Sequence, residues 1–85
     1  MGHREKHLAR LEDSPVGVRF NQLMNLLESY GFSVKPPRGG GSHYKVTHNQ
    51  ILGRLTIPKH DPVAPPYVLE AVKWIHAVID LEEEG

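Results

Sequence analysis

The spacing of apolar side chains along this chain changes twice, and those two changes limit the folds open to it. From about Val18, the residues Phe20, Leu23, Met24, Leu27 and Tyr30 recur every three or four positions, the period that gathers side chains on one face of an α-helix. Between Phe32 and Ile57 the period drops to two. Phe32 and Val34 alternate with Ser33 and Lys35, Tyr44 and Val46 with His43, Lys45 and Thr47, and Leu55 and Ile57 with Arg54 and Thr56. Strands with one packed and one open face read this way. Helical spacing then returns at Val68, Leu69, Val72, Ile75 and Ile79, widened by Trp74 and Val78.

The punctuation agrees with the periods. Gly31 is free to take a positive φ and ends the first helix, Pro36-Pro37 stop the first strand, and His48 to Gly53 connect the second and third strands as a hairpin. Pro65-Pro66 open the closing helix, where a first-turn proline loses no intrahelical bond. The expected order is α-β-β-β-α, an α+β fold with a three-stranded antiparallel sheet and the helices on one face.

A chain of 85 residues forms one domain with a modest core. It has no cysteine, which removes disulfides and thiolate metal sites and leaves stability to apolar packing. No secretory segment opens the sequence and no apolar run is long enough to cross a bilayer, so a soluble cytoplasmic protein is expected. Residues 17–82 are read as the single domain. Residues 1–16, where only Leu8 and Leu11 are spaced to meet on one helical face, form an N-terminal arm or a short helix. Residues 83–85 are an acidic tail, and the carboxylates of Glu82 to Glu84 oppose the helix dipole, so fraying is expected there.

Ten Lys and Arg balance ten Asp and Glu, yet the charges are sorted. From Ser29 to His60 there is no acidic residue, while Lys35, Arg38, Lys45, Arg54 and Lys59 fall there with His43, His48 and His60. A locally basic segment of this kind suits contact with a polyanion or forms a solvated cationic sheet face. Strand alternation places Ser33, Lys35, His43, Lys45, Thr47, Arg54 and Thr56 on one face, opposite the apolar side chains.

Within that segment lies Arg38-Gly39-Gly40-Gly41-Ser42-His43-Tyr44-Lys45-Val46. Glycines let backbone N–H groups approach an anion, the cations supply charge, and an imidazole titrates near neutrality and can move a proton. No Gly-Lys-Ser/Thr follows, which argues against a nucleotide P-loop. His60 reads as a second proton-transfer group, as an ordering contact in the loop to Pro62, or as a contact to a partner. His3 and His7 can share one helical face, His43 and His48 fall on opposite strand faces, and His76 lies beside the apolar stripe of the last helix. No metal site or cofactor is expected from this set.

Val18-Arg19-Phe20, Leu26-Leu27-Glu28, Tyr30-Gly31-Phe32, Gly41-Ser42-His43-Tyr44 and Leu55-Thr56-Ile57-Pro58-Lys59-His60 follow one another in an order that resembles the HicA family. These are small toxins of bacterial and archaeal toxin–antitoxin pairs. The resemblance covers roughly residues 18 to 80. It implies a fold like a double-stranded RNA-binding domain, ribosome-independent cleavage of mRNA, and a HicB-type antitoxin as partner, with the catalytic histidine on His43. RNA or phosphate contacts are then expected from Lys35, Arg38, Gly41, Ser42, Lys45, Arg54 and Lys59, with His60 as a secondary candidate. The chain departs from the family in three ways: its closing helix carries only Lys73 as a cation and ends in glutamates, the glycine loop is longer, and an N-terminal arm precedes the domain.

Cleavage of RNA without metal requires deprotonation of a ribose 2′-OH, stabilisation of the phosphorane and protonation of the departing 5′-oxygen. On this reading His43 is the general base or acid, Lys45 and Arg38 stabilise the phosphate, and Ser42 with the glycine amides holds a nonbridging oxygen. Two other classes share the same features: a noncatalytic RNA-binding module using the same basic face, and an interaction domain whose cationic face or sheet edge meets an acidic protein.

Overall fold

The computed structural model describes residues 2–84; Met1 of the N-terminal arm and Gly85 of the acidic tail lie outside the described residues. The elements run α1 (His3–Asp13), α2 (Phe20–Ser29), β1 (Ser33–Lys35), β2 (His43–His48), β3 (Ile51–Pro58) and α3 (Pro65–Glu84), with a 3-10 turn at Arg38–Gly40. The strands form one antiparallel sheet in the order β1-β2-β3. From α2 to α3 this is the α-β-β-β-α order of a double-stranded RNA-binding domain. Among the described residues no helix is long and apolar enough to cross a membrane.

α2 ends where the sequence places its stop. Gly31 has φ +88°, Phe32 donates its N–H to the Leu27 carbonyl at 3.1 Å and Gly31 to that of Glu28 at 3.0 Å, the paired bonds of a Schellman cap. The chain therefore reverses straight into β1. At its start, α2 is capped from far along the chain: Asp61 Oδ1 accepts the Phe20 N–H at 2.6 Å, and Gln22 Oε1 accepts that of Arg19 at 3.3 Å. An anionic oxygen at a helix N-terminus is favourable both as a hydrogen-bond acceptor and against the helix dipole.

The core lies between the sheet and the helices. Val46, Leu55 and Ile57 from the strands meet Phe20, Leu23, Met24 and Leu27 of α2 and Val68, Ala71, Val72, Ile75 and Val78 of α3, all buried. One position of the expected α3 stripe differs. Leu69 is 48% exposed and Ala71 is fully buried, because the helix turns the face centred on residues 68, 72 and 75 inward, and a small alanine fits where the helix approaches its neighbours. The β2–β3 connection is also tighter than expected: only Asn49 and Gln50 separate the strands. His48 explains the extension. Its ring packs edge-on to Phe32 with centroids 4.8 Å apart, Nδ1 accepts the Gln50 N–H at 3.1 Å, and Nε2 donates to the Tyr30 carbonyl at 3.2 Å.

The first segment is a helix docked on the rest of the fold, where the sequence left an arm and a helix both open. Leu8 and Leu11 of α1 are 5% and 2% exposed. Leu26 of α2 is buried too, beside His3, Arg4 and His7 of α1. Arg4 donates to the Ser29 carbonyl at 2.7 Å and places its guanidinium 4.5 Å from the centre of the Tyr30 ring. Glu12 pairs with His76, tying α1 to α3. At the other end α3 carries on through Glu84.

His7 connects α1 to α2 through a bond that needs a neutral ring, since its Nε2 accepts from the Gln22 amide at 2.8 Å. Burial, with the Arg10 charge second, holds its imidazole below the ordinary value of 6.5. The folded state thus disfavours the protonated ring, so this contribution is complete above the ordinary value and is lost as pH falls from there through the lowered one. Urea midpoints measured against pH are expected to drop over that window in the wild type and less steeply in His7→Ala; superimposable slopes would contradict the assignment.

Candidate nucleic-acid interface

The side of the sheet away from the helices is the cationic face. Register builds it: Ser33 stands opposite Thr47 and Lys35 opposite Lys45, while Lys45 is also opposite Thr56 and His43 opposite Pro58. Ser33, Lys35, His43, Lys45, Arg54 and Thr56 are exposed. Two like charges directly across an antiparallel pair repel, so Lys35 and Lys45 form a pairing that an anion would relieve.

A cleft of about 400 Å³ opens beside this pair, lined by Lys35, Pro36, Pro37, Arg38, Lys45, Thr47 and Arg54. It has four cations and no carboxylate. Among the described residues none of Lys35, Arg38, Lys45, Arg54 or Lys59 makes an ion pair. Pro36 and Pro37 do more than stop β1: they form a wall of the cleft, a role that strand-breaking propensity alone does not reveal. Arg54 reaches it through an irregularity in β3. Between the Val46–Leu55 and His48–Ile51 pairs, Thr47 faces three residues, Leu52 to Arg54. Gly53 at the centre has φ +96°, a conformation suited to glycine in a bulge.

His43 begins β2, two residues before Lys45 and so on the same face. Ser42 precedes it, with Oγ 3.5 Å from His43 Nδ1. The glycine segment leading in is a defined turn: Gly39 and Gly40 have φ +74° and +85°, and Gly41 returns to an extended backbone. Its residues are exposed. Lys59 holds this end of the hairpin, its N–H donating to the Ser42 carbonyl at 2.6 Å.

The structure therefore brings Lys35, Arg38, Lys45 and Arg54 to one cleft, with His43, Ser42 and Gly41 adjoining it along β2. Lys59 and His60 stand past the end of β3, and His60 Nδ1 lies 3.0 Å from the Pro62 carbonyl. His48 is on the packed side and belongs to the scaffold. Among the described residues no three of His, Cys, Asp and Glu cluster as a metal site. The face offers imidazole, ammonium and guanidinium groups, a set suited to anion binding and proton transfer.

Comparison with known proteins gives one finding. A family model described as the HicA toxin of bacterial toxin–antitoxin matches residues 20–77, which span α2, the whole sheet and most of α3. No curated protein and no solved structure matches the chain.

Proposed function

Because the chain belongs to the HicA toxin family of bacterial toxin–antitoxin systems, we propose that it is an endoribonuclease that cleaves mRNA on the open face of its sheet, with His43 as the proton-transfer group and no metal cofactor. The observation that carries this reading is the unopposed Lys35–Lys45 pair at a cleft shared with Arg38 and Arg54, two residues along the strand from an exposed imidazole. A ribose-phosphate chain laid across the face would set phosphates on the cations and a 2′-OH near His43. His43, with Nδ1–H toward Ser42 Oγ, presents Nε2 as a free base. Lys45 and Arg38 stabilise charge on the phosphorane, and Ser42 with the Gly41 amide holds a nonbridging oxygen. Products would be a 2′,3′-cyclic phosphate and a 5′-hydroxyl.

The family implies a cognate antitoxin. We assign it to the HicB type and expect acidic groups on it to cover the same cationic face, since charge complementarity speeds such association. Incubating the protein with RNA in EDTA tests the catalytic reading: fragments with cyclic phosphate ends are expected. Binding without fragments at any protein concentration would leave the noncatalytic RNA-binding module in its place.

Lys45→Glu separates binding from stability. It removes a phosphate contact and turns the like-charge pair with Lys35 into an opposite-charge one, which contributes roughly 0.2–1 kcal/mol. RNA affinity is expected to fall and the slope of log K against log salt to shrink by about 0.7, the share of one phosphate contact on a single strand, while the urea midpoint holds or rises. Unchanged affinity with a lower midpoint would place Lys45 in the scaffold instead.

A further inference from the structure

Transesterification of RNA moves two protons, one from the 2′-OH and one to the departing 5′-oxygen, and His43 in one protonation state serves only the first. The hairpin brings up a second imidazole. Pro58 stands opposite His43, and the bond from the Lys59 N–H to the Ser42 carbonyl carries the pairing one residue past β3. His60 follows directly, two residues beyond the Pro58 that faces His43. Diagonal neighbours of this kind stand about 7–8 Å apart, within reach of two imidazoles gripping one phosphodiester from either side.

The ring of His60 is oriented. A carbonyl only accepts, so at 3.0 Å from Pro62 O the Nδ1 carries the hydrogen, and Nε2 is the end left for chemistry. Protonation keeps that bond and adds a donor at Nε2, so the same contact orients the ring when it carries the proton to be delivered. His43 has only the hydroxyl of Ser42 at 3.5 Å, a weaker acceptor. The titratable and charged groups on the segments beside His60 are Lys59 and Asp61 in the chain, His43 across the hairpin, and Arg19, which meets Asp61 at the start of α2. Asp61 is engaged, with Oδ1 on the Phe20 N–H and 3.8 Å from Arg19 Nε.

Resting on the ribonuclease reading, we infer that His60 is the general acid that completes the reaction with His43 as base. His43 Nε2 takes the 2′-OH proton as the 2′-oxygen bonds to phosphorus. The P–O5′ bond breaks, and the Nε2–H of His60 passes its proton to the leaving oxygen. The pair finishes with His43 protonated and His60 neutral, and exchange with water restores both. Nothing is oxidised or reduced.

The test compares two substrates carrying the cleavage site mapped with wild-type protein: ordinary RNA, and the same RNA with a 5′-thio bridging linkage whose thiolate leaves without a proton. His60→Ala is expected to lose roughly 10² to 10⁴-fold on ordinary RNA and to keep close to the wild-type rate on the thio linkage, whereas His43→Ala is slow on both. Circular dichroism of both variants checks the fold. His60→Ala at the wild-type rate on ordinary RNA, or equally slow on both substrates, overturns the acid assignment while leaving His43 in place. A His43→Ala protein that cleaves normally removes the base and this inference with it, and a wild type that cleaves neither substrate overturns the ribonuclease reading itself.

Discussion

His43→Ala is expected to cut RNA more slowly than the wild type by roughly 10² to 10⁴-fold, the usual contribution of a positioned acid or base, while its circular dichroism spectrum and its affinity for RNA stay close to wild type. The separation follows from where the ring stands. It is exposed at the first residue of β2, its side chain meets Ser42 Oγ at 3.5 Å, and it is not part of the core. The cations proposed to hold phosphate are on other residues, so removing the imidazole leaves them in place. A rate within a few-fold of wild type, measured on labelled RNA by gel, would remove His43 from the chemistry. Growth after induction in cells gives the same comparison: arrest by the wild type and none by the variant.

The largest expected effect on stability lies outside the matched residues 20–77. Leu11→Ala in α1 is expected to cost about 2–5 kcal/mol, the range for a buried leucine, because Leu11 is 2% exposed and packed in the same core as α2 and α3. A domain of this size has total stability of about 5–15 kcal/mol, so the variant should unfold at much lower urea, with a thermal midpoint lower by some tens of degrees at the upper end, at about 4–8 °C per kcal/mol. Urea titration followed by Trp74 fluorescence measures it. A shift under about 1 kcal/mol, the size of an ordinary surface substitution, would mean that α1 is an appendage. Ribonuclease activity per folded molecule should hold, since α1 packs on the helices and the proposed site is on the far side of the sheet.

Local pattern carried much of this fold, and its failures are non-local. The periods around Phe20–Tyr30 and Tyr44–Ile57 declare α2 and the strands, since the side chains that share the buried face of each element recur three or four, or two, positions apart. Gly31 marks its cap for the same reason. By contrast, α1 holds only Leu8 and Leu11 as apolar signals. Its docking depends on Leu26, on the Arg4 contacts with Ser29 and Tyr30, and on Glu12 meeting His76 across 64 residues. The Asp61 cap on α2 spans 41 residues and has no local signature.

The candidate site divides in the same way. Strand alternation was enough to set His43 and Lys45 on one face. The cleft needed the β1–β2 register that puts Lys35 opposite Lys45, the proline wall after β1 and the bulge at Gly53 that carries Arg54. The ordering contact of His60 to Pro62 was one of three roles legible for that residue, and geometry shows it formed.

Whether RNA lies on the open, cationic side of the sheet is read from amide chemical shifts of isotope-labelled protein. With an RNA whose 2′-O-methyl groups prevent cleavage, shifts are expected at Ser33–Lys35, Arg38–Thr47, Arg54–Thr56 and Lys59–His60, growing weaker as salt is raised. Shifts concentrated on α1 and the outer surfaces of α2 and α3, with the sheet amides unmoved, would contradict that placement.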